Sequence, residues 1–201
     1  MAKVSNYERT RQQANQLFLS FDEGEIAERL GLQRDEKGLL VNFLGRPYRA
    51  ERGTGILRRL WDGEEGGFGE TLTVYDYLCE SKPGCHPAGE YVTVGNLQAV
   101  VTSTIGGGLN ANAVKWFAED PERARRVCEA FGGREIARGD LGWEFPVFDG
   151  GLKLRLCFWE ADEDFPASLR LYWDRNVLDY IRFETTYYAS GFLLEELMGQ
   201  K

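Results

Sequence analysis

The sequence predicts an α+β fold, a mainly antiparallel sheet built around the hairpin Leu152–Asp174 with helices packed on one face of that sheet. Within this hairpin, apolar and polar residues alternate in two runs, which is typical of half-buried strands. Near both ends of the chain, apolar residues instead recur at helical spacing. The 24 glycines indicate many turns between short elements. These observations together favour the α+β class.

The amino-terminal elements are predicted from periodicity and capping residues. Within residues 6–21, apolar side chains recur at helical spacing and Arg and Gln occupy the remaining face. This pattern predicts an amphipathic helix. Asp22 caps a second helix, with Glu25 three residues later as in a capping box, and Gly31 ends it. We interpret both helices as scaffold.

A small sheet is predicted to come next. The short strands Leu39–Phe43 and Tyr48–Glu51 flank a turn at Gly45-Arg46-Pro47. The loop Gly63–Gly69 is rich in glycine and glutamate. We expect residues 1–201 to form a single domain, and any minor domain boundary to lie in that loop.

The next helix is predicted at Glu70–Ser81, and it brings two cysteines near the single histidine of the chain. Cys79, Cys85 and His86 fall within eight residues. Zinc ligands usually come in closely spaced pairs that converge from one turn, so this spacing does not predict a metal site. No GxSxG motif accompanies the histidine. We therefore assign no catalytic residue and no metal ligand.

Residues 97–105 are apolar and β-branched, which indicates a strand running into the glycine segment Gly106–Ala111. That segment matches GxGxxA, but the further βαβ units of a dinucleotide-binding fold do not come after it. An anion-binding turn remains an alternative to a plain loop there. The helix after it, residues 112–131, is expected to break at Asp120-Pro121 because proline removes an internal hydrogen bond.

Strands are predicted at Arg134–Arg138 and Leu141–Phe148, and they lead into the central hairpin. Beyond the hairpin, Asp174 is expected to cap a short helix that ends at Ile181. The last helix should end at Gly199 and cover the apolar face of the sheet. Its predicted apolar stripe consists of Phe183, Tyr187, Gly191, Leu194 and Leu197.

The central hairpin joins the predicted strands Leu152–Trp159 and Leu169–Trp173. A register that places Leu156 opposite Leu171 gives one wholly apolar face. Because the same register gives a polar second face, we expect it in the structure. The remaining cross-strand pairs are Leu154 with Trp173, Phe158 with Leu169, Lys153 with Asp174, Arg155 with Tyr172, and Cys157 with Arg170.

The loop of the hairpin, Glu160–Ala167, holds four carboxylates in five positions. They repel one another unless water, a cation or basic side chains screen them. We expect the loop to be a structural latch with Phe165 anchored in the core, and the alternatives are a solvated turn and a divalent-cation site. The candidate binding residues of the loop and strands are Trp159, Asp162, Glu163, Asp164, Arg155, Arg170 and Tyr172.

The run WEADEDFPASLRLYWD, followed by LDYIRFETTYY, resembles the carboxy-terminal signature of an uncharacterised bacterial and archaeal family found largely in anaerobes. The run TLTVYDYLCESKPGCHPAGEYVTVGNL resembles the middle of the same family. The resemblance covers Glu70 to Leu197 and implies a domain of unknown function. It implies no established activity and no cofactor.

Composition limits the classes of function. A net charge of −8 without a cluster of Lys and Arg argues against nucleic acid as a partner. No stretch approaches 18 apolar residues and the amino terminus lacks the apolar core of a signal peptide, so we expect a cytoplasmic protein that does not bind membranes. The four cysteines should then be thiols.

The sequence favours an accessory module that binds a small molecule or a partner protein, because the hairpin carries aromatic, arginine and acidic residues while no paired nucleophile and base occurs. A metal-dependent enzyme that uses the acidic loop 160–164 is one alternative. A purely structural or interaction protein is the other. The identity of any cofactor, small molecule or partner stays unknown.

Overall fold

A computed structural model describes residues 5–97 and 107–199. Within these ranges, the helices are α1 Asn6–Leu19, α2 Glu23–Leu30, α3 Phe68–Glu80, α4 Gly107–Glu119, α5 Pro121–Ala130 and α6 Phe183–Gly199. The strands are β1 Gly38–Phe43, β2 Arg46–Glu51, β3 Leu57–Arg59, β4 Tyr91–Thr93, β5 Arg134–Glu135, β6 Leu141–Pro146, β7 Lys153–Trp159 and β8 Ser168–Asp174. Antiparallel sheets combined with these helices confirm the α+β class.

Strands β7 and β8 form the predicted hairpin at the centre of a five-stranded antiparallel sheet, whose order is β4-β8-β7-β6-β5. Leu156 lies opposite Leu171, as the double alternation predicts. Phe158 likewise faces Leu169. The register is confirmed, and it is strongly specified because a slip of one residue would move every apolar side chain to the polar face.

Helices cover the apolar face of this sheet. Phe117 of α4 stacks on Phe158 with their ring centroids 5.5 Å apart. Trp173 is fully buried, and its indole N–H donates to the Ser190 hydroxyl of α6 at 3.3 Å. The opposite face of the sheet carries the polar side chains of the hairpin.

The amino-terminal sheet has three strands in the order β1-β2-β3, one more than the two predicted. The turn between β1 and β2 is Leu44-Gly45, whereas Arg46 and Pro47 belong to β2. Both turn residues have positive φ, 47° and 74°. Two such residues suit the right-handed twist of a hairpin, which explains why the turn is one residue earlier than predicted.

Capping residues set the bounds of α2 and the break between α4 and α5 as predicted, whereas three other helix bounds differ. Helix α1 ends at Leu19 rather than residue 21, α3 is Phe68–Glu80 rather than Glu70–Ser81, and α4 begins at Gly107 rather than residue 112. The Asp22 side chain accepts from the Glu25 N–H at 2.9 Å, and Gly31 ends α2 in the left-handed conformation. Asp120 accepts from the Arg123 N–H at 2.9 Å, so the long helix does break before Pro121.

Two predictions about the carboxy-terminal third need correction. Asp174 is the last residue of β8 and accepts from the N–H groups of Ala88 and Gly89, and the next element is a short 3-10 helix at Val177–Asp179. In α6 the buried stripe is displaced from the predicted one, because Thr and Ser hydroxyls that bond locally are also buried. Its buried residues are Thr185, Thr186, Ala189, Ser190, Leu193, Leu194 and Leu197.

The predicted strand over residues 97–105 lies almost wholly outside the described residues, as does the first residue of the Gly106–Ala111 segment. The rest of that segment, residues 107–111, belongs to α4, so the loop or anion-binding turn expected there is wrong for these residues. Leu97 itself ends a 3-10 turn rather than beginning a strand. No helix among the described residues is long and apolar enough to cross a membrane.

Candidate functional site

One row of side chains crosses the polar face of the five-stranded sheet. Going from β4 to β5, the directly paired residues are Thr93, Tyr172, Arg155, Glu144 and Arg134. Directly paired residues of antiparallel strands point to the same side of the sheet. We call this side, with the neighbouring Tyr91, Arg138, Lys153, Trp159 and Arg170, the polar sheet face.

Glu144 is the centre of this row. Its side chain is 3% exposed and forms ion pairs with Arg134, Lys153 and Arg155 at 2.8–2.9 Å. Burial alone would raise the pKa of Glu144, but the hydrogen bonds from Lys153, Arg155 and Arg134 outweigh it and hold the pKa at about 2. The carboxylate therefore stays ionised and keeps three cations side by side.

Tyr91 covers this ion-pair cluster from β4. The Arg155 guanidinium lies 3.5 Å from the centroid of the Tyr91 ring, a cation–π contact. Burial, together with the charge of Glu144, raises the pKa of Tyr91 to about 12. The phenol therefore stays neutral at neutral pH.

Arg138 reaches the same face from the loop between β5 and β6. Its guanidinium lies 4.0 Å from the centroid of the Tyr172 ring. The loop approaches β6 so closely that a Cβ on Gly142 would meet the Arg138 carbonyl oxygen at 2.3 Å. Glycine at this position therefore lets the loop fold over the sheet. The strand predicted at Arg134–Arg138 ends at Glu135 for this reason.

The polar sheet face continues toward the tip of the hairpin. The Arg170 guanidinium lies 5.7 Å from the Trp159 ring centroid, and Arg170 is exposed. Cys157, opposite Arg170, is fully buried, so its thiol is not presented to a ligand.

The structure brings together four of the seven predicted binding residues and separates the other three. Arg155, Arg170, Tyr172 and Trp159 all lie on the polar sheet face. Asp162, Glu163 and Asp164 are exposed in the loop beyond its end.

The acidic loop forms its own turn. One oxygen of Asp162 accepts from the N–H groups of Asp164 and Phe165 at 2.9 and 2.7 Å. The expectation that Phe165 anchors the loop in the core is wrong, because its side chain is 70% exposed. The turn projects past the ends of both strands and carries Phe165 away from the core. The Asp162 carboxylate therefore holds only its own turn and does not fasten the loop to the core.

Sequence reasoning missed Glu144, Arg138 and Tyr91 as residues of the site. Glu144 stands between Trp143 and Phe145 in β6, at a polar position of an alternating strand. A register for β6 on β7 would have placed it opposite Arg155. The folded loop that carries Arg138 leaves no comparable sequence signal.

The cysteines and the histidine are not brought into one site. Cys79, Cys128 and Cys157 are buried, Cys85 is partly exposed, and all four are free thiols. The exposed His86 ring contacts the Gly84 carbonyl oxygen at 3.2 Å. Over residues 5–97 and 107–199, no group of three or more His, Cys, Asp or Glu side chains is placed to hold a metal ion.

Comparison with known proteins identifies a family for most of the chain. Residues 22–196 match the family model described as Domain of unknown function (DUF3786). No curated protein and no solved structure matches the chain.

Proposed function

The chain belongs to the family Domain of unknown function (DUF3786), and we propose that it is a cytoplasmic accessory module that binds a short acidic segment of a partner protein on the polar sheet face. One observation carries this proposal. The face holds five cationic side chains against two carboxylates, those of Glu144 and Asp174, and both carboxylates are already bound within the protein. The cations are Arg134, Arg138, Lys153, Arg155 and Arg170.

The accessibility of these cations supports binding. The Arg134 side chain is 73% exposed and that of Lys153 is 39% exposed, so both can bond a ligand while Glu144 fixes their positions. Arg138 and Arg170 are exposed above aromatic rings. Arginine and aromatic residues are enriched where protein partners dock.

The surroundings favour a short acidic segment over a long polyanion. Along β7 the polar sheet face is short. Arg155 and Trp159 are four residues apart, a distance of roughly 13 Å at the usual strand rise. Immediately beyond Trp159 the loop presents Glu160, Asp162 and further carboxylates. A nucleic acid strand longer than the face would meet these carboxylates and be repelled by them.

The free thiols agree with a cytoplasmic setting, because reduced cysteines are usual there. The alternative of a metal-dependent enzyme rests on the acidic loop, where Asp162 already uses an oxygen to hold its own turn.

The test uses a fluorescein-labelled peptide of six glutamates and fluorescence anisotropy at low salt. The double variant Arg134→Gln and Arg170→Gln removes two exposed cations while Lys153 and Arg155 continue to bind Glu144. A matched control, Lys115→Gln, removes one exposed cation from α4, on the other side of the sheet.

We expect the double variant to weaken peptide binding by about tenfold or more, and the control by less than about twofold. Binding should also weaken as salt is raised, since exposed charges are screened. Equal weakening by the control would contradict the proposal. Tighter binding of a six-nucleotide RNA than of the peptide would contradict it as well.

A further inference from the structure

A separate cleft lies where the turn between β1 and β2 meets α5. It encloses about 510 Å³, within the range of small-molecule sites. We call it the arginine cleft. Its lining residues are Leu44, Gly45, Arg46, Arg123, Arg126, Val127, Ala130 and Phe131.

The turn is held firmly against α5. Among the described residues, Leu44 is the one non-glycine residue with positive φ, and it is 2% exposed. Its N–H donates to the Val147 carbonyl at 2.9 Å. A Cβ on Gly45 would lie 3.5 Å from the Phe131 carbonyl oxygen. This strained turn, anchored by the buried Leu44, gives Arg46 a fixed position at one wall of the cleft.

Neighbouring side chains orient the Arg46 guanidinium but do not take up all of its hydrogen-bond donors. The guanidinium lies 5.2 Å from the Phe131 ring centroid and 5.6 Å from that of Trp61. One terminal nitrogen donates to Glu196 at 3.0 Å. The Nε atom is inaccessible to water and has no hydrogen-bond partner among the described residues. The aromatic contacts therefore preorganise a cation with donor capacity to spare.

Arg123 and Arg126 are three residues apart on α5 and face the cleft together. Arg123 lies 4.8 Å from the Trp116 ring centroid and donates to the Trp116 carbonyl, while its buried Nε has no partner in the described part of the chain. The Arg126 side chain is exposed and forms no hydrogen bond or ion pair with any residue in 5–97 and 107–199. Both guanidinium groups thus lack a carboxylate among the described side chains.

Among the described residues, the lining contains three arginines and no acidic residue, in a chain with 32 acidic residues. Guanidinium groups bind multi-oxygen anions such as phosphate through paired N–H donors. Val127, Ala130 and Phe131 give the same cleft an apolar wall. The geometry points to a binding site for a phosphorylated small molecule that carries an apolar or aromatic group.

The test is isothermal titration calorimetry with phenyl phosphate, compared with inorganic phosphate and phenol. Arg126→Gln is the primary variant because the exposed side chain has no partner to lose among the described residues. Arg123→Gln is the second variant. Arg125→Gln is the matched control, since Arg125 is on the same helix but pairs with Glu135 outside the cleft.

We expect saturable binding of one phenyl phosphate, tighter than that of inorganic phosphate, with no binding of phenol. Arg126→Gln and Arg123→Gln should each weaken it by about tenfold, and Arg125→Gln by less than about twofold. The polar-face variant Arg134→Gln with Arg170→Gln should leave it unchanged. The proposal is overturned by absence of saturable binding, by an equal effect of Arg125→Gln, or by inorganic phosphate binding as tightly as phenyl phosphate.

Discussion

Arg155 and Glu144 lie directly opposite each other on β7 and β6, and the arginine Nε donates to the buried carboxylate at 2.9 Å. Arg134 and Lys153 bond the other oxygen of the same carboxylate at 2.9 Å each. One buried anion therefore fixes three cations on a sheet face where aromatic and basic side chains predominate. The proposed binding function depends on this arrangement.

Replacing Glu144 with Gln should lower the free energy of unfolding at pH 7 by about 2–4 kcal/mol, because three cations lose their buried counter-charge. The folded pKa lies below the ordinary value of 4.5, at about 2. The stabilisation is therefore present above about pH 4.5 and is lost as the pH falls toward 2. Urea unfolding at pH 7 and pH 2.5 measures both effects. A difference that persists undiminished at the lower pH, or one matched by the exposed control Glu195→Gln, would refute this role of Glu144.

Asp162 should matter for stability and Asp164 should not. Asp162→Ala leaves two N–H groups of the turn without their acceptor and should cost about 1 kcal/mol. Asp164→Asn removes an exposed charge and should change stability by less than about 0.5 kcal/mol. Thermal unfolding with and without Mg²⁺, Mn²⁺ or Ca²⁺ tests the alternative. A rise in Tm with a cation, seen in wild type and lost in Asp162→Ala, would favour the metal-dependent enzyme.

Glu70 should hold the Gly63–Gly69 loop in place. Its buried carboxylate accepts from the Tyr48 hydroxyl at 2.5 Å, the Arg59 Nε at 2.9 Å and the Gly67 N–H at 2.6 Å. Glu70→Ala should cost about 3 kcal/mol in unfolding free energy. It should also speed cleavage at the exposed Glu64 by a glutamate-specific protease. If Glu80→Ala, which alters an exposed residue of the same helix, has the same effects, the loop is not held by Glu70.

The thiols should differ sharply in reactivity. Burial raises the pKa of Cys79 to about 12 and also raises the pKa values of Cys128 and Cys157. Burial also raises the pKa of Cys85, but its thiol is partly exposed. Ellman's reagent at pH 8 should therefore label this one thiol rapidly in the native protein, and four thiols after unfolding without reductant. Cys85→Ser should remove the rapid phase. Fewer than four thiols after unfolding would instead indicate a disulfide.

The hairpin could be predicted because both of its faces constrain the register. Leu156 and Leu171 must share the buried side, and the same register places Arg155 beside Tyr172. The single-domain prediction for residues 1–201 stays a prediction.

The rest of the site depends on contacts between distant parts of the chain. Arg138 reaches Tyr172 only because a loop folds over Gly142. In the arginine cleft, Arg46 and Arg126 are eighty residues apart in sequence and meet through tertiary packing. Local sequence patterns carry no information about such long-range contacts. Periodicity does specify strand faces, and residue type does specify helix caps.

The most direct test of the proposed function is a two-dimensional ¹H–¹⁵N NMR titration with the six-glutamate peptide. We expect saturable shifts of the amides of Arg134, Glu144, Arg155 and Tyr172, the row that crosses the sheet, with little change at Lys115 on α4. Shifts confined to Val127 and Ala130 of the arginine cleft, or spread evenly over the protein, would contradict the proposed function.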